Sequence, residues 1–186
     1  MFIVFEGLDG CGKTVQARML EEWLLEIGRD VLLTAEPTDS KIGIFIREIL
    51  SGSERVDPTT LAFLFTADRY EHIKNDIEPA LMRGKIVISE RYYHSTIAYQ
   101  SAQGVDRGWL TELNSFAIKP DLTIFLDVKP KISAERTETN EIFENEEFLN
   151  RVYQNYLEFD DIKLINGNRS KEDVFEDIKR IVSKML

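Results

Sequence analysis

The chain alternates short apolar runs with longer segments whose apolar residues recur every three or four positions. It opens on "MFIVF", an unbroken apolar run that stops at Glu6-Gly7, the pattern of a buried strand. From Lys13 to Ile27 the spacing turns helical, with Leu20, Trp23, Leu24 and Ile27 on one face and Gly28 as the stop. "DVLLTAEP" reads as a second strand and "KIGIFIREILSG" as a short helix closing at Gly52. Asp57 and Pro58 supply the cap and first-turn proline of a long helix through "TTLAFLFTADRYEHIKNDIEPALMRG". Pro79 is a point of kinking or interruption within it.

"KIVISE" is a third strand, followed by helical "STIAYQSAQG" and "DRGWLTELNSFAI", and "DLTIFLDV" is a fourth strand. Pro130 to Arg136 begins a helix that gives way to the polar stretch "TETNEIFENEE". A helix over "FLNRVYQNYLEFD" and a short last strand "IKLIN" come next. Ser170 caps a final helix with Val174, Ile178, Ile181, Val182 and Met185 at helical spacing. There is no internal repeat, low-complexity tract or linker, so residues 1–186 read as one domain. Strands alternating with helices predict an α/β fold: a three-layer α/β/α sandwich around a five-stranded parallel sheet. In such folds ligands sit beyond the carboxyl ends of the strands.

A composition of 43% apolar and 30% charged residues suits a soluble globular chain with a sizeable core. The net charge of −10 argues against nucleic acid or an anionic membrane surface as a partner. It leaves room for a small anionic ligand, because a site can be locally positive within an acidic chain. Cys11 is the only cysteine, so neither an intrachain disulfide nor a cysteine metal cluster is expected. No apolar run reaches the length of a membrane span, and the N-terminus has no basic region of a signal peptide. A reducing cytoplasm is the expected setting.

"GLDGCGKT" matches G-x-x-x-x-G-K-[ST] at Gly7, Gly12, Lys13 and Thr14, between a predicted strand and a predicted helix. The segment Gly7, Leu8, Asp9, Gly10, Cys11, Gly12, Lys13, Thr14 would wrap phosphates with its backbone N–H groups, aided by the positive end of the helix. Lys13 would reach the β- and γ-phosphates of a nucleotide such as ATP, and Thr14 would offer its hydroxyl to Mg²⁺. Cys11 is open to two readings, a thiol activated by the helix terminus or a small filler. Glu90 ends a strand where phosphate-loop enzymes hold a Mg²⁺-associated acid, and Arg91 follows it; a surface salt bridge is the alternative. Phe65 and Arg69 share one helical face, which fits stacking on a base and bonding its edge, or core packing beside a solvated arginine. Ser95, Thr96, Tyr99 and Gln100 surround one helical turn and face either a ligand or water.

Taken in order, "FEGLDGCGKT", the "EP" of Glu36-Pro37, "LFTADR", "ERYYHSTIAYQ" and "KPDLTIFLDV" resemble the thymidylate (dTMP) kinases, most closely their archaeal-type members. The resemblance covers nearly the whole chain. It implies the phosphate-loop NTPase fold, ATP as donor with Mg²⁺, dTMP as acceptor, a short lid over about 137–147, and a homodimer. It implies that Phe65 stacks on thymine and that Arg69, Thr96 and Gln100 read the base. Arg91 and Arg47 would hold the acceptor phosphate, and Tyr99 would sit where a ribose 2′-hydroxyl is disfavoured. Asp9 would lie near the acceptor's sugar and phosphate, with Glu36, Pro37 and Ser95 completing the acceptor side.

The chain departs from the family pattern in three places. Glu90 stands where many members have aspartate, and "TDS" follows the "EP" where many have glycines or an arginine. The third is Gly10, which occupies the loop position that carries a catalytic arginine in some members; others supply it from the lid. Yet "TETNEIFENEE" holds no lysine or arginine, and only Arg136 and Arg151 flank it. Either one approaches the transferring phosphoryl group, or Arg136 stacks on adenine and Lys13, Arg47, Arg91 and Mg²⁺ carry the charge. A kinase for another nucleoside monophosphate or a deoxynucleoside is the nearest alternative activity. A nucleotide switch is a more distant one, and no [NT]KxD guanine-reading motif is present.

Overall fold

The computed structural model describes residues 1–136 and 146–186, apart from the side chains of Ala134 and Arg136. Of the expected lid, 137–145 lies outside the described residues, and only Glu146 and Glu147 fall within them.

The described residues form one sheet of β1 (Phe2–Glu6), β2 (Val31–Ala35), β3 (Ile86–Glu90), β4 (Leu122–Asp127) and β5 (Ile162–Asn166). Its order is β2-β3-β1-β4-β5, and every pairing is parallel. β1 lies in the middle and is buried along its whole length, which is why "MFIVF" shows no polar alternation. Its side chains still divide between two faces. Ile3 and Phe5 pack with Leu20 and Leu24 of α1 (Lys13–Glu26) and with Val174, Ile178 and Val182 of α9 (Lys171–Val182). Phe2 and Val4 pack on the opposite face with Ile73, Ile77 and Tyr92. Phe125 joins that second layer, against Leu149, Val152 and Tyr156 of α8 (Glu146–Leu157). Each such side chain contributes about 1.5–3 kcal/mol by leaving water, which holds helices on both faces.

Register brings the functional ends together. Phe5 pairs with Glu90 and Ala35 pairs with Glu90 from the other side, so β1, β2 and β3 end at one rim. The loops that leave this rim lead to α1, to α2 (Lys41–Leu50) and to α5 (Tyr93–Ala102). Ser40 caps α2 by accepting from the Gly43 N–H, and a Cβ on Gly43 would stand 1.9 Å from the Thr38 carbonyl oxygen, so only glycine fits there.

The long helix expected from Asp57 is three pieces: α3 (Pro58–His72), a π-helical turn (Ile73–Ile77) and α4 (Glu78–Met82). The wide turn precedes Pro79, whose ring would clash with the carbonyl of a regular preceding turn and which has no N–H to donate. α6 covers only Arg107–Leu113, shorter than "DRGWLTELNSFAI" suggested, because Asn114 leaves the helix and turns inward. Ile27 follows the last turn of α1 and is exposed, as is Met185 beyond α9; neither shares the apolar face assigned to it. Ser170 caps α9 as expected, accepting from the Asp173 N–H at 3.1 Å. The remaining helix, α7 (Pro130–Arg136), follows β4.

Candidate active site

The loop between β1 and α1 closes around its own lysine. Lys13 Nζ donates to the Leu8 carbonyl at 2.8 Å and to the Gly7 carbonyl at 3.1 Å. Gly7 has φ of 146°, and a Cβ there would meet Cys11 Sγ at 2.6 Å, so glycine is required by both backbone and space. α1 starts without a side-chain cap among the described residues, which leaves its first N–H groups for an anion. Cys11 is buried among the core residues on the α1 face, which matches the filler rather than the activated thiol. Thr14 is exposed, and its hydroxyl donates to Glu90 Oε2 at 2.7 Å. Gly10 is exposed on the loop.

Arg91 is the one described non-glycine residue with positive φ, 64°. Its N–H donates to the Phe5 carbonyl and its carbonyl accepts from Ser89 Oγ, so packing holds a backbone state that costs a side-chain-bearing residue energy. Its guanidinium pairs with Asp9, donates to Ser95 Oγ at 2.9 Å, and lies over the Tyr99 ring at 5.2 Å. Burial pushes the Asp9 carboxyl up, but the charges of Arg91 and Lys13 outweigh it and hold it at about 2. Burial likewise opposes the Arg91 charge, and Asp9 more than restores it, so its pKa is raised. The Tyr99 hydroxyl, buried beside Asp9, is pushed well above its usual range.

Beside Arg91 lies a cavity of about 200 Å³ between the loop after β2, α3 and α5. Asp9, Glu36, Pro37, Arg47, Phe65 and Arg69 line it from one side. Arg91, Ser95, Thr96, Tyr99 and Gln100 line it from the other, with Leu50 and Tyr92 added. Every residue assigned to the acceptor side thus borders one space. Ser95, Thr96, Tyr99 and Gln100 are buried rather than facing water. Arg69 is fixed by Glu36 at 2.7 Å, by Thr96 Oγ1 at 3.0 Å and by Asn114 Oδ1 at 2.5 Å. Among the described residues, Arg69 Nε and Gln100 Oε1 are buried polar atoms of cavity-lining residues with no hydrogen-bond partner. Unpaired buried polar groups are costly unless a ligand meets them. Arg47 donates to the Pro37 carbonyl and pairs with exposed Asp39, both at 2.8 Å.

Several supporting residues were missed in the sequence. Glu6 is fully buried and accepts from the Tyr92 N–H (2.8 Å), Ser95 Oγ (2.6 Å) and the Tyr156 hydroxyl (2.8 Å). Ser95 therefore spends its proton on Glu6 and offers a lone pair to Arg91. Asp68 accepts from the Thr38 N–H at 2.7 Å and from Ser40 Oγ at 2.8 Å, shaping the segment after the "EP". A carboxylate closing an apolar strand was the one available signal for Glu6. Nothing in the spacing singles out Asn114 or Tyr156.

On the donor side, Ser133 of α7 donates its hydroxyl to the Asp9 carbonyl, tying that helix to the phosphate loop. Arg136 ends α7 one turn later, and its side chain lies outside the described residues. Arg151 is not brought to the loop. It pairs with Glu147 at 3.0 Å on its own helix and donates to the Ala102 carbonyl at the end of α5.

The thymidylate kinase family model matches residues 5–178. A probable thymidylate kinase of Pyrococcus abyssi is 43% identical, with 100% of this chain and 97% of that protein covered. One from Methanocaldococcus jannaschii is 42% identical over 96% of this chain and 93% of its own. A thymidylate kinase of the bacterium Maridesulfovibrio salexigens is 40% identical over 100% of this chain and 96% of its own. With the phosphate loop, the parallel sheet and the neighbouring cavity in one chain, these matches show that it belongs to the thymidylate kinase family.

Proposed function

We propose that the chain transfers the γ-phosphoryl group of ATP to dTMP, giving ADP and dTDP, with the donor on the Gly7–Thr14 loop and the acceptor in the cavity beside it. The observation that carries the division of the site is Arg91. It stands between loop and cavity, paired to loop residue Asp9 and to cavity residues Ser95 and Tyr99. An arginine fork suits the acceptor's phosphate dianion. Phe65 offers its ring to thymine, while Arg69, Thr96 and Gln100 supply hydrogen bonds that discriminate among bases as stacking does not. The bond between the β–γ bridging oxygen and the γ-phosphorus breaks as an acceptor phosphate oxygen bonds that phosphorus. That oxygen is already ionised, so no general base is needed, and catalysis rests on positioning and charge neutralisation. Lys13, now spent on two loop carbonyls, exchanges them for phosphate oxygens.

The donor set fits Mg²⁺. Thr14 and Glu90 present hard oxygens 2.7 Å apart at the loop, and among the described residues no cluster of three or more His, Cys, Asp or Glu forms a protein cage. Mg²⁺ usually takes one or two protein oxygens and completes its shell with phosphates and water. When bound it would neutralise charge on the β- and γ-phosphates. Arg136, one turn beyond the Ser133 tether to the loop, is the better candidate than Arg151 for the missing loop arginine's role.

A homodimer is part of the same proposal. Phe63 and Tyr70 on α3 and Phe116 after α6 are exposed large apolar residues on neighbouring elements, with Tyr70 edge-on to Phe116 at 5.5 Å. Such a patch suits a second copy of the chain, which light scattering would detect. A cytoplasmic setting remains an expectation from sequence; among the described residues no helix is long and apolar enough to cross a membrane. Initial rates with dTMP, dUMP, UMP, CMP, AMP and thymidine test the acceptor. The highest kcat/KM belongs to dTMP, and a clear preference for any other acceptor overturns the assignment.

A further inference from the structure

Behind the acceptor cavity lies a buried relay whose middle residue, His72, none of the site assignments uses. Glu36 Oε2 pairs with Arg69 at 2.7 Å, and Glu36 Oε1 meets His72 Nδ1 at 3.1 Å. His72 Nε2 in turn meets Thr34 Oγ1 at 2.7 Å. His72, Glu36 and Arg69 are 2%, 5% and 1% exposed, so water does not compete for any of these contacts. Glu36 and Arg69 border the cavity, whereas His72 does not; with Thr34 it lines an adjoining groove that shares Pro37 and Arg47 with the cavity.

The chemistry gives the relay a direction. A carboxylate paired with an arginine through one oxygen accepts through the other, so His72 Nδ1 donates to Glu36 Oε1. The Thr34 hydroxyl, 2.7 Å from Nε2, holds the other side of the ring in place. Remove the Nδ1 donor, and Glu36 Oε1 becomes a buried acceptor without a partner. The carboxylate is then free to rotate about its own bonds, and Arg69 loses the fixed counter-charge that aims it.

We infer that His72 is a positioning residue for dTMP recognition: it orients Glu36, and through Glu36 it sets the pose of Arg69 in the acceptor cavity. This rests on that cavity being the acceptor site. His72 touches neither substrate.

Two amide replacements separate the two ring nitrogens. His72→Asn keeps a donor where Nδ1 stands; His72→Gln keeps one where Nε2 stands and leaves Glu36 Oε1 without its donor. Kinetics of the full chain are measured with dTMP varied at saturating ATP, and then the reverse, with melting temperatures recorded alongside. The Gln variant raises KM for dTMP about tenfold, the loss of one charge-assisted hydrogen bond, with kcat and KM for ATP within about threefold. The Asn variant stays within about threefold of the parent in all three. Equal behaviour of the two variants, or a fall in kcat with KM for dTMP unchanged, overturns the inference. If the Gln variant does not fold, Thr34→Val serves instead: KM for dTMP rises by about fivefold or more, and a change within about threefold overturns it. Arg69→Lys is run in parallel. If it leaves KM for dTMP unchanged, the acceptor assignment fails; if it raises KM while the His72 variants do not, only the relay fails.

Discussion

Thr14 and Glu90 are joined by a hydrogen bond, 2.7 Å from the threonine hydroxyl to Glu90 Oε2, that links the phosphate loop to the end of β3. The strand-end acid is often aspartate in the family this chain resembles. Here the extra methylene carries the carboxylate across to the loop. Glu90→Gln keeps an acceptor for Thr14 but removes the charge. It should lower kcat by about tenfold or more and raise the Mg²⁺ concentration needed for half-maximal rate. Glu90→Asp keeps the charge, gives up the contact and should fall between. A Mg²⁺ titration of initial rates for the three proteins checks the order.

Asp9 gives a pH dependence with a definite sign. Its carboxyl is held at about 2, below its ordinary value of 3.8, because Arg91 and Lys13 outweigh the cost of burial. A depressed carboxylate stabilises the fold above its unfolded pKa, and that stabilisation is lost as pH falls through the folded value. The shift converts to about 2 kcal/mol, which solvent around a side chain still 37% exposed reduces to about 1 kcal/mol. Asp9→Asn should therefore be less stable than the parent at pH 7, and the gap should close between about pH 4 and pH 2. Urea denaturation at several pH values measures it; a gap that widens on acidification would contradict the ion pair.

The two arginines that flank the lid should separate cleanly. Arg151 is engaged with Glu147 and the Ala102 carbonyl, so Arg151→Ala should leave kcat within about threefold. Arg136→Ala should lower kcat by about 30-fold or more, the scale of one lost charge contact to a transferring phosphoryl group. A fall of only a few-fold for Arg136→Ala, with KM for ATP raised, would instead assign it to adenine stacking.

Much of the fold was legible because its strands are short apolar runs ended by turn residues. "MFIVF" and "DLTIFLDV" are buried on both faces in a parallel sheet, and only such runs survive there. Pro79 announced an interruption but not its form, since Ile73, Ile77 and Ala80 stay buried at helical spacing through the π-helical turn. The end of α6 was misjudged because Asn114 is recruited by Arg69, a contact across 45 residues that no local pattern contains. The cavity-lining residues were legible through motif order, whereas the residues that hold them were not. Glu6, Asp68 and His72 look in sequence like ordinary polar positions, and only the packed structure shows that they are buried against Ser95, Thr38 and Glu36.

The division into a donor loop and an acceptor cavity is tested most directly by binding of each nucleotide alone. Calorimetric Kd values for dTMP and for ATP are needed for the parent and for Phe65→Ala, whose ring lines the cavity and not the loop. Loss of the stacking partner should weaken dTMP about tenfold or more and leave ATP within about twofold. Unchanged dTMP binding, or equal weakening of both nucleotides, would contradict the placement of the acceptor.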